Sequence, residues 1–163
     1  MKFILIASLM LFSAVASADM AQQVDINKPY ARAAIMQQRN SAAFMSIQNK
    51  GADASLVSAQ SPVAKIVELH THINDKGVMR MRKIPQIELP KNQTVTLQPG
   101  GLHIMLLGLN RDLKPGEEID VTLGFSDGSE KQLKVPVQKM MMQRMKNMQK
   151  HKMDGSMPSM MTH

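Results

Sequence analysis

The chain has 163 residues, with 20 Lys and Arg against 13 Asp and Glu, a formal net charge of +7 and no cysteine. The absence of thiols excludes a blue-copper electron-transfer site, which needs a thiolate ligand, and also excludes a thiol–disulfide oxidoreductase. With one Tyr, four Phe and no Trp, the chain has no aromatic platform on which bases could stack, so we expect no nucleic-acid partner.

The first eighteen residues have the order of an export signal. Lys2 supplies the positive charge, residues 3–15 are an apolar stretch, and Ala16-Ser17-Ala18 is a cleavage site of small residues. The apolar stretch is too short to cross a bilayer as a helix. We therefore predict a signal peptide over residues 1–18, a mature chain that begins at Asp19, and a periplasmic location.

Short runs rich in Val, Ile, Leu and Thr follow, separated by turn sequences. Residues 19–28 are predicted as an extended lead-in to them. The predicted strands are 29–35, 41–48, 54–60, 63–73, 78–83, 93–97, 102–108, 118–125 and 130–137. Many short strands without a long helical pattern are typical of an all-β sandwich or barrel. Residues 19–138 are numerous enough to form one packed domain.

Three segments of this domain place candidate metal ligands two residues apart: His70-Thr71-His72, Met79-Arg80-Met81 and His103-Ile104-Met105. Side chains at i and i+2 of a strand leave the same face, so each segment would present both ligands together. Imidazole with thioether and without thiolate is a donor set that suits Cu(I). The alternatives are methionines that fill gaps in the core and histidines that face solvent.

The composition changes from Met140 onward, where nine of the 17 methionines lie in the last 24 residues. Residues 139–163 hold five basic residues and one acidic residue. We predict a basic tail that is disordered or transiently helical, and that meets an acidic protein surface or anionic lipid. Metal binding by this tail is one interpretation. The alternative is a tail that only docks a partner or a membrane surface.

The tail also carries candidate additional ligands, for Cu(I) through methionine or for Cu(II) through imidazole and carboxylate. They are Met140, Met141, Met142, Met145, Met148, His151, Met153, Met157, Met160, Met161 and His163.

Four of the candidate ligands within the domain have a spacing that is specific to one protein family. His70, Met81, His103 and Met105 follow the pattern H-x10-M-x21-H-x-M. In this pattern and in the flanking sequences, the chain resembles the PCuAC family of periplasmic copper chaperones over roughly residues 29–137. The flanking sequences are Val-Glu-Leu-His and Leu-Gln-Pro-Gly-Gly-Leu-His-Ile-Met-Leu. The resemblance implies a cupredoxin-like Greek-key β-sandwich in which these four residues bind Cu(I). It further implies copper delivery to the CuA centre of cytochrome c oxidase subunit II, alongside thiol-containing assembly factors.

The chain departs from the family at His72, where many relatives have Met. His72 is either a fifth, exchangeable donor or a solvated strand residue. Met79 shares the face of Met81 but lies outside the pattern, so we interpret it as packing at the rim of the site, with ligation as the alternative.

Two other functions compete with copper delivery. A periplasmic copper buffer or resistance protein would use the same ligands. A copper-dependent redox enzyme is disfavoured, because two thioethers favour Cu(I) and no Ser/His/Asp or paired-carboxylate arrangement supplies acid–base chemistry. We therefore predict that the protein is not an enzyme.

Overall fold

The computed structural model describes residues 19–35 and 38–139. One short helix, α1 (Met20–Gln23), precedes ten strands. The strands are β1 (Val24–Arg32), β2 (Asn40–Asn49), β3 (Ala54–Gln60), β4 (Ala64–Asp75), β5 (Val78–Lys83), β6 (Ile87–Leu89), β7 (Thr94–Leu97), β8 (His103–Leu109), β9 (Glu118–Phe125) and β10 (Glu130–Gln138). The predicted all-β fold is confirmed.

The strands form an open sandwich of two connected sheets. Their order is β5-β4-β8-β2-β1-β10-β9-β3-β6, with β7 also paired to β2. We call β5, β4, β8, β2, β1 and β7 sheet I, and β10, β9, β3 and β6 sheet II. The sheets join where β1 and β10 run parallel, with Ala31 opposite Val137 and Arg32 opposite Gln138.

Both sheets contribute to one hydrophobic core. Leu69, Ile104 and Leu106 of sheet I belong to the same buried cluster as Leu123 and Val135 of sheet II. Because successive side chains of a strand point to opposite faces, the residues between these core positions lie on the outer face of sheet I. The predicted ligands of the domain occupy this outer face.

The structure corrects the prediction at the start of the domain. An extended lead-in over 19–28 and a first strand at 29–35 were expected, but α1 opens the fold and β1 already starts at Val24. Asp19 caps α1 by accepting a hydrogen bond from the backbone N–H of Ala21 at 2.9 Å, a typical N-cap contact. Ala21 and Val24 are buried, so packing against the sandwich stabilises a helix too short to form alone.

A second difference is β6, a strand that the sequence analysis did not predict. Ile87 and Leu89 are buried, and the strand pairs with β3. Three residues between turns are too few to show an alternating pattern, so only the pairing partner reveals the strand.

The predicted signal peptide (1–18) and the candidate tail ligands from Met140 to His163 lie outside the described residues. Among the residues that are described, no helix has the length and apolar character needed to cross a membrane.

Candidate metal site

A two-residue turn sets the register between β4 and β5. Lys76 and Gly77 both have positive φ, 53° and 84°, the combination found in a type I′ turn. The backbone N–H of Gly77 donates a hydrogen bond to Asn74 Oδ1 at 2.8 Å. Since a one-residue slip would turn every side chain to the other face, this turn decides which residues of the hairpin meet.

This register brings candidate ligands from three strands to one face. Met81 of β5 is paired with His72 of β4, and Lys83 is paired with His70. On the other side of β4, His103 of β8 is also paired with His70. Directly paired residues of antiparallel strands share a face, so the outer face of sheet I carries all five side chains.

A cleft of about 820 Å³ opens on this face. His72, Met81, His103 and Met105 all contribute to its lining. Three of the four residues of the sequence pattern therefore share one cavity with His72.

The fourth residue of the pattern, His70, lies beside this cleft, next to His103. The centroid of its ring is 5.8 Å from that of His103, and the centroid of His72 lies 5.2 Å from that of His103. The side chain of His70 is only 13% exposed. His103 thus stands between two other imidazoles in a largely buried cluster.

A turn before β8 orients the ring of His103. The N–H of Gly101 donates to the carbonyl of Gln98 at 3.0 Å, with Pro99 and Gly100 between them. Gly100 has φ 82°, and Pro followed by Gly is the usual sequence of a type II turn. His103 Nδ1 lies 2.9 Å from the Gly101 carbonyl oxygen. A carbonyl only accepts, so Nδ1 carries the proton, and Nε2 of the neutral ring has the free lone pair.

A carboxylate orients the ring of His70. Its Nε2 is 2.8 Å from Oε2 of Glu68, and Lys83 Nζ donates to Oε1 of the same carboxylate at 2.8 Å. The hydrogen bond from Lys83, followed by that from His70, holds the pKa of the Glu68 carboxyl below its ordinary value. An ionised carboxylate only accepts, so Nε2 donates and the lone pair of neutral His70 lies on Nδ1.

The remaining ring nitrogens of both histidines are buried without a partner. His70 Nδ1 and His103 Nε2 have no hydrogen-bond partner among the described residues. A buried polar atom left unsatisfied costs about 1–3 kcal/mol, and a metal ion would satisfy both nitrogens. Imidazole nitrogens bind metals at about 2 Å, and the ring centroids of the two histidines are 5.8 Å apart. This pair of nitrogens fits a metal site.

Oxygen and nitrogen donors alone do not complete such a site. Within residues 19–35 and 38–139, no group of three or more His, Asp and Glu side chains is arranged to hold a metal ion. The additional donors that line the cleft are the thioethers of Met81 and Met105. The arrangement therefore offers imidazole and thioether to a soft metal ion.

Burial also keeps one of these histidines neutral. Burial lowers the pKa of His103 more than the hydrogen bond to the Gly101 carbonyl raises it. Positive charge on His72, His70 and Arg32 acts in the same direction as burial. Only a neutral imidazole can bind a metal, so His103 keeps its donor at a lower pH than an ordinary histidine.

Aromatic residues support the cluster from β1 and β2. The ring of Phe44 lies 6.2 Å from that of His103 and 5.1 Å from that of Tyr30, and Arg32 Cζ is 5.9 Å from the centre of the Phe44 ring. Neither Phe44 nor Glu68 was predicted from the sequence as part of the site. The available signal for Glu68 was its position two residues before His70, on the same strand face.

Met79 behaves differently from Met81. Met79 is 56% exposed and does not line the cleft, whereas Met81 is 41% exposed and does. Arg80 points to the other face, where its Nε lies 3.2 Å from Oδ2 of Asp75. Lys139, the residue before the predicted tail ligands, also lines the cleft.

Comparison with known proteins gives consistent matches. The model of the LpqE-like family matches residues 24–137. Lxx21020 of Leifsonia xyli subsp. xyli (strain CTCB07), whose name describes a lipoprotein, is 37% identical over 119 residues, which cover 72% of this chain and 70% of that protein.

Two solved structures share the fold. The copper-bound PCuAC domain from PmoF2 superposes with a TM-score of 0.62 at 22% identity, covering 72% of this chain and 93% of that domain. The solution structure of CuI-DR1885 from Deinococcus radiodurans gives a TM-score of 0.58 at 34% identity, covering 74% of this chain and 83% of that one.

Proposed function

This chain belongs to the LpqE-like family, and from this premise we propose that it is an exported copper chaperone that binds Cu(I) on the outer face of sheet I. The observation that carries the proposal is the pair of buried nitrogens, His70 Nδ1 and His103 Nε2, that have no partner among the described residues. They lie on the face that holds the thioethers of Met81 and Met105. The copper-bound PmoF2 domain and CuI-DR1885 support the choice of copper.

The proposed ligands are His70, Met81, His103 and Met105. All four donors are neutral, so the bound ion keeps its single positive charge, and thioethers favour Cu(I) over harder ions. Because two thioethers disfavour a stable Cu(II) state, we propose binding and transfer rather than catalysis. His72 lines the cleft opposite Met81 and stays a candidate fifth donor.

Met81 is the ligand that we expect to exchange first. It lies on β5, the edge strand of sheet I, in which every residue is exposed. A carrier must let each ligand be replaced by one from the acceptor, so the exposed thioether is suited to the first replacement. His103, which is 2% exposed, is suited to release the ion last.

The acceptor that we propose is the CuA domain of cytochrome c oxidase subunit II, together with thiol-containing assembly factors. The charge of the cleft favours a partner with an acidic face. Its described lining includes Arg32, Arg39 and Lys139 and no carboxylate, and opposite charges steer partners together. The tail adds positive charge to the chain, and its methionines and histidines are proposed to collect copper.

We propose the periplasm as the location of the mature protein. The order of residues 1–18 supports export. The 163 residues contain no cysteine, the residue that carries thioether-linked lipids. The small residues Ala16-Ser17-Ala18 support cleavage after Ala18.

A pair of methionine variants tests copper binding at this site. Met81→Leu removes a proposed ligand, whereas Met79→Leu makes the same change two residues away on the same face, outside the cleft. We expect Met81→Leu to weaken Cu(I) binding by more than about tenfold, since loss of even a supporting residue typically costs 10–100-fold. Met79→Leu should leave the affinity nearly unchanged. Equal affinities of both variants and the wild type in an anaerobic competition titration would contradict the proposal.

Delivery and storage are separated by the phenotype of a deletion strain. Loss of cytochrome oxidase activity when copper is scarce indicates delivery. Sensitivity to excess copper with normal oxidase activity indicates the competing function, a copper buffer.

A further inference from the structure

We propose that Glu68 is a positioning residue that orients His70 for the metal, and that Lys83 in turn holds Glu68 in place. This inference rests on the proposed function, because it assigns a role to a residue that supports one of the proposed ligands. Glu68 itself is not proposed as a ligand.

The three residues are brought together by the register of two strands. Glu68 and His70 are two residues apart on β4, and Lys83 of β5 is directly opposite His70. Their side chains therefore share the outer face of sheet I. The turn at Lys76 and Gly77 that places Met81 in the cleft is thus the same turn that places Lys83 beside Glu68.

Each oxygen of the carboxylate has its own partner. Oε2 faces His70 Nε2 and Oε1 accepts from Lys83 Nζ, both at 2.8 Å. The Glu68 side chain is 20% exposed and that of His70 is 13% exposed, so water has little access to the contact between them. Lys83 is 65% exposed and links the contact to the surface.

The contact decides which nitrogen of His70 can bind a metal. With Nε2–H held by the carboxylate, the lone pair of the neutral ring is on Nδ1, the buried atom that has no partner among the described residues. A carboxylate behind a ligand histidine fixes the orientation of the ring and makes the ligating nitrogen more basic. His103 has a backbone carbonyl, that of Gly101, in the equivalent position.

If Glu68 had a purely structural role, its removal would give a different result from the one that the positioning role predicts. The ion pair with Lys83 is largely exposed on the lysine side, and such pairs contribute little to stability. If Glu68 acts only as part of this pair, its removal changes neither the His70 ring nor metal binding. A positioning role requires that both change while the fold stays intact.

The experiment compares Glu68→Ala, Glu68→Gln and the control Glu130→Ala in the full mature chain. Glu130 is an exposed residue at the start of β10 on sheet II. The first measurement is the imidazole N–H signal of His70 in 15N-edited NMR spectra of the metal-free protein. We expect a slowly exchanging Nε2–H signal in the wild type and in Glu130→Ala. Glu68→Ala should lose the signal to exchange with water, and Glu68→Gln should retain it, because the amide oxygen still accepts.

The second measurement is Cu(I) affinity by anaerobic competition. We expect a decrease of about 10–100-fold for Glu68→Ala, a smaller decrease for Glu68→Gln, and no change for Glu130→Ala. A His70 signal that persists in Glu68→Ala, or an affinity equal to that of Glu130→Ala, would overturn the role of Glu68. Failure of the wild type to bind Cu(I) would instead overturn the proposed function, and the metal-free NMR result would still decide whether Glu68 holds the ring.

Discussion

His70 and His103 are directly paired across two strands, yet each presents a different nitrogen. The Gly101 carbonyl accepts from Nδ1 of His103, and Glu68 accepts from Nε2 of His70. Because a neutral imidazole has one proton, the free lone pairs are on Nε2 of His103 and Nδ1 of His70. The two rings therefore support the same proposed ion through unlike atoms.

We expect these opposite tautomers to be present before any metal binds. Long-range 1H–15N NMR correlations of the metal-free protein at neutral pH should show His103 protonated at Nδ1 and His70 protonated at Nε2. After addition of Cu(I), the 15N shifts of the unprotonated nitrogens should change most. The same tautomer in both rings would contradict this account of how the two histidines are oriented.

At the scale of single elements, β8 serves the core with one face and the site with the other. Ile104 and Leu106 are fully buried between the sheets, whereas His103 and Met105 line the cleft. Substitutions of the buried residues of this strand should therefore affect stability, and substitutions of their neighbours in the cleft should affect metal binding.

Conservative variants of β8 test that separation. Ile104→Val should lower the free energy of unfolding by about 0.5–1.5 kcal/mol and leave Cu(I) affinity unchanged. Met105→Leu conserves volume and should change stability less, but it should weaken Cu(I) binding. Urea denaturation and anaerobic Cu(I) titration of both variants measure the two effects. Parallel losses of stability and affinity in Ile104→Val would show that the two faces are not independent.

The helix α1 is held to the β9–β10 turn by a carboxylate. Asp127 Oδ2 accepts from the N–H of Met20 at 2.8 Å, and Oδ1 accepts from the N–H of Ser129 at 2.9 Å. Burial raises the pKa of Asp127, but the hydrogen bonds from Met20 and Ser129 lower it by a larger amount. The pKa in the folded state is therefore below the ordinary value.

This shift predicts how stability depends on pH. Below the ordinary pKa of 3.8, the unfolded chain takes up a proton at Asp127 that the folded protein does not. The stabilisation is therefore complete above that pH and is lost as the pH falls through the folded-state pKa. Urea denaturation should show Asp127→Asn to be less stable than the wild type at pH 7, with a smaller difference near pH 3. A difference that is independent of pH would contradict the prediction.

The strands and turns that carry the site could be predicted from local sequence patterns, because each of these patterns lies within a few consecutive residues. The alternation through His70 and His72, the turn sequence Asn-Asp-Lys-Gly and the turn sequence Gln-Pro-Gly-Gly each act over a few residues. The pairing of β4 with β8 joins distant segments, and no local pattern contains it. Phe44 was missed because residues 41–45 are all buried, so β2 shows no alternation that separates its two faces.

At the scale of the whole molecule, the described lining of the cleft carries positive charge and no carboxylate. Arg32, Arg39 and Lys139 contribute to its lining, and the tail that follows Lys139 is strongly basic. Like charges would disfavour a basic partner, and complementary charges increase the rate at which an acidic partner docks. Arg32, Arg39 and Lys139 thus place positive charge at the cleft, where we propose that copper leaves.

Copper transfer should accordingly depend on ionic strength. Arg39→Gln with Lys139→Gln should slow transfer to a CuA domain at low salt and reduce its salt dependence, because surface charges are screened within about 10 Å at 0.1 M salt. Lys50→Gln with Lys91→Gln, at two exposed residues that do not line the cleft, is the matched control for loss of two charges. Stopped-flow measurement of transfer rates across a salt series tests this, and equal rates for the two variants would argue against docking at the cleft.

The most direct test of the central claim is copper X-ray absorption of the full mature chain loaded anaerobically with one equivalent of Cu(I). Mixed scattering from imidazole nitrogen and thioether sulfur is expected in the wild type. The sulfur contribution should largely disappear in a Met81→Leu, Met105→Leu double variant, and affinity should fall with it. A first shell of only nitrogen and oxygen in the wild type would contradict the account. Unchanged sulfur scattering and affinity in the double variant would also contradict it, because the methionines of the tail would then be the source of the ligands.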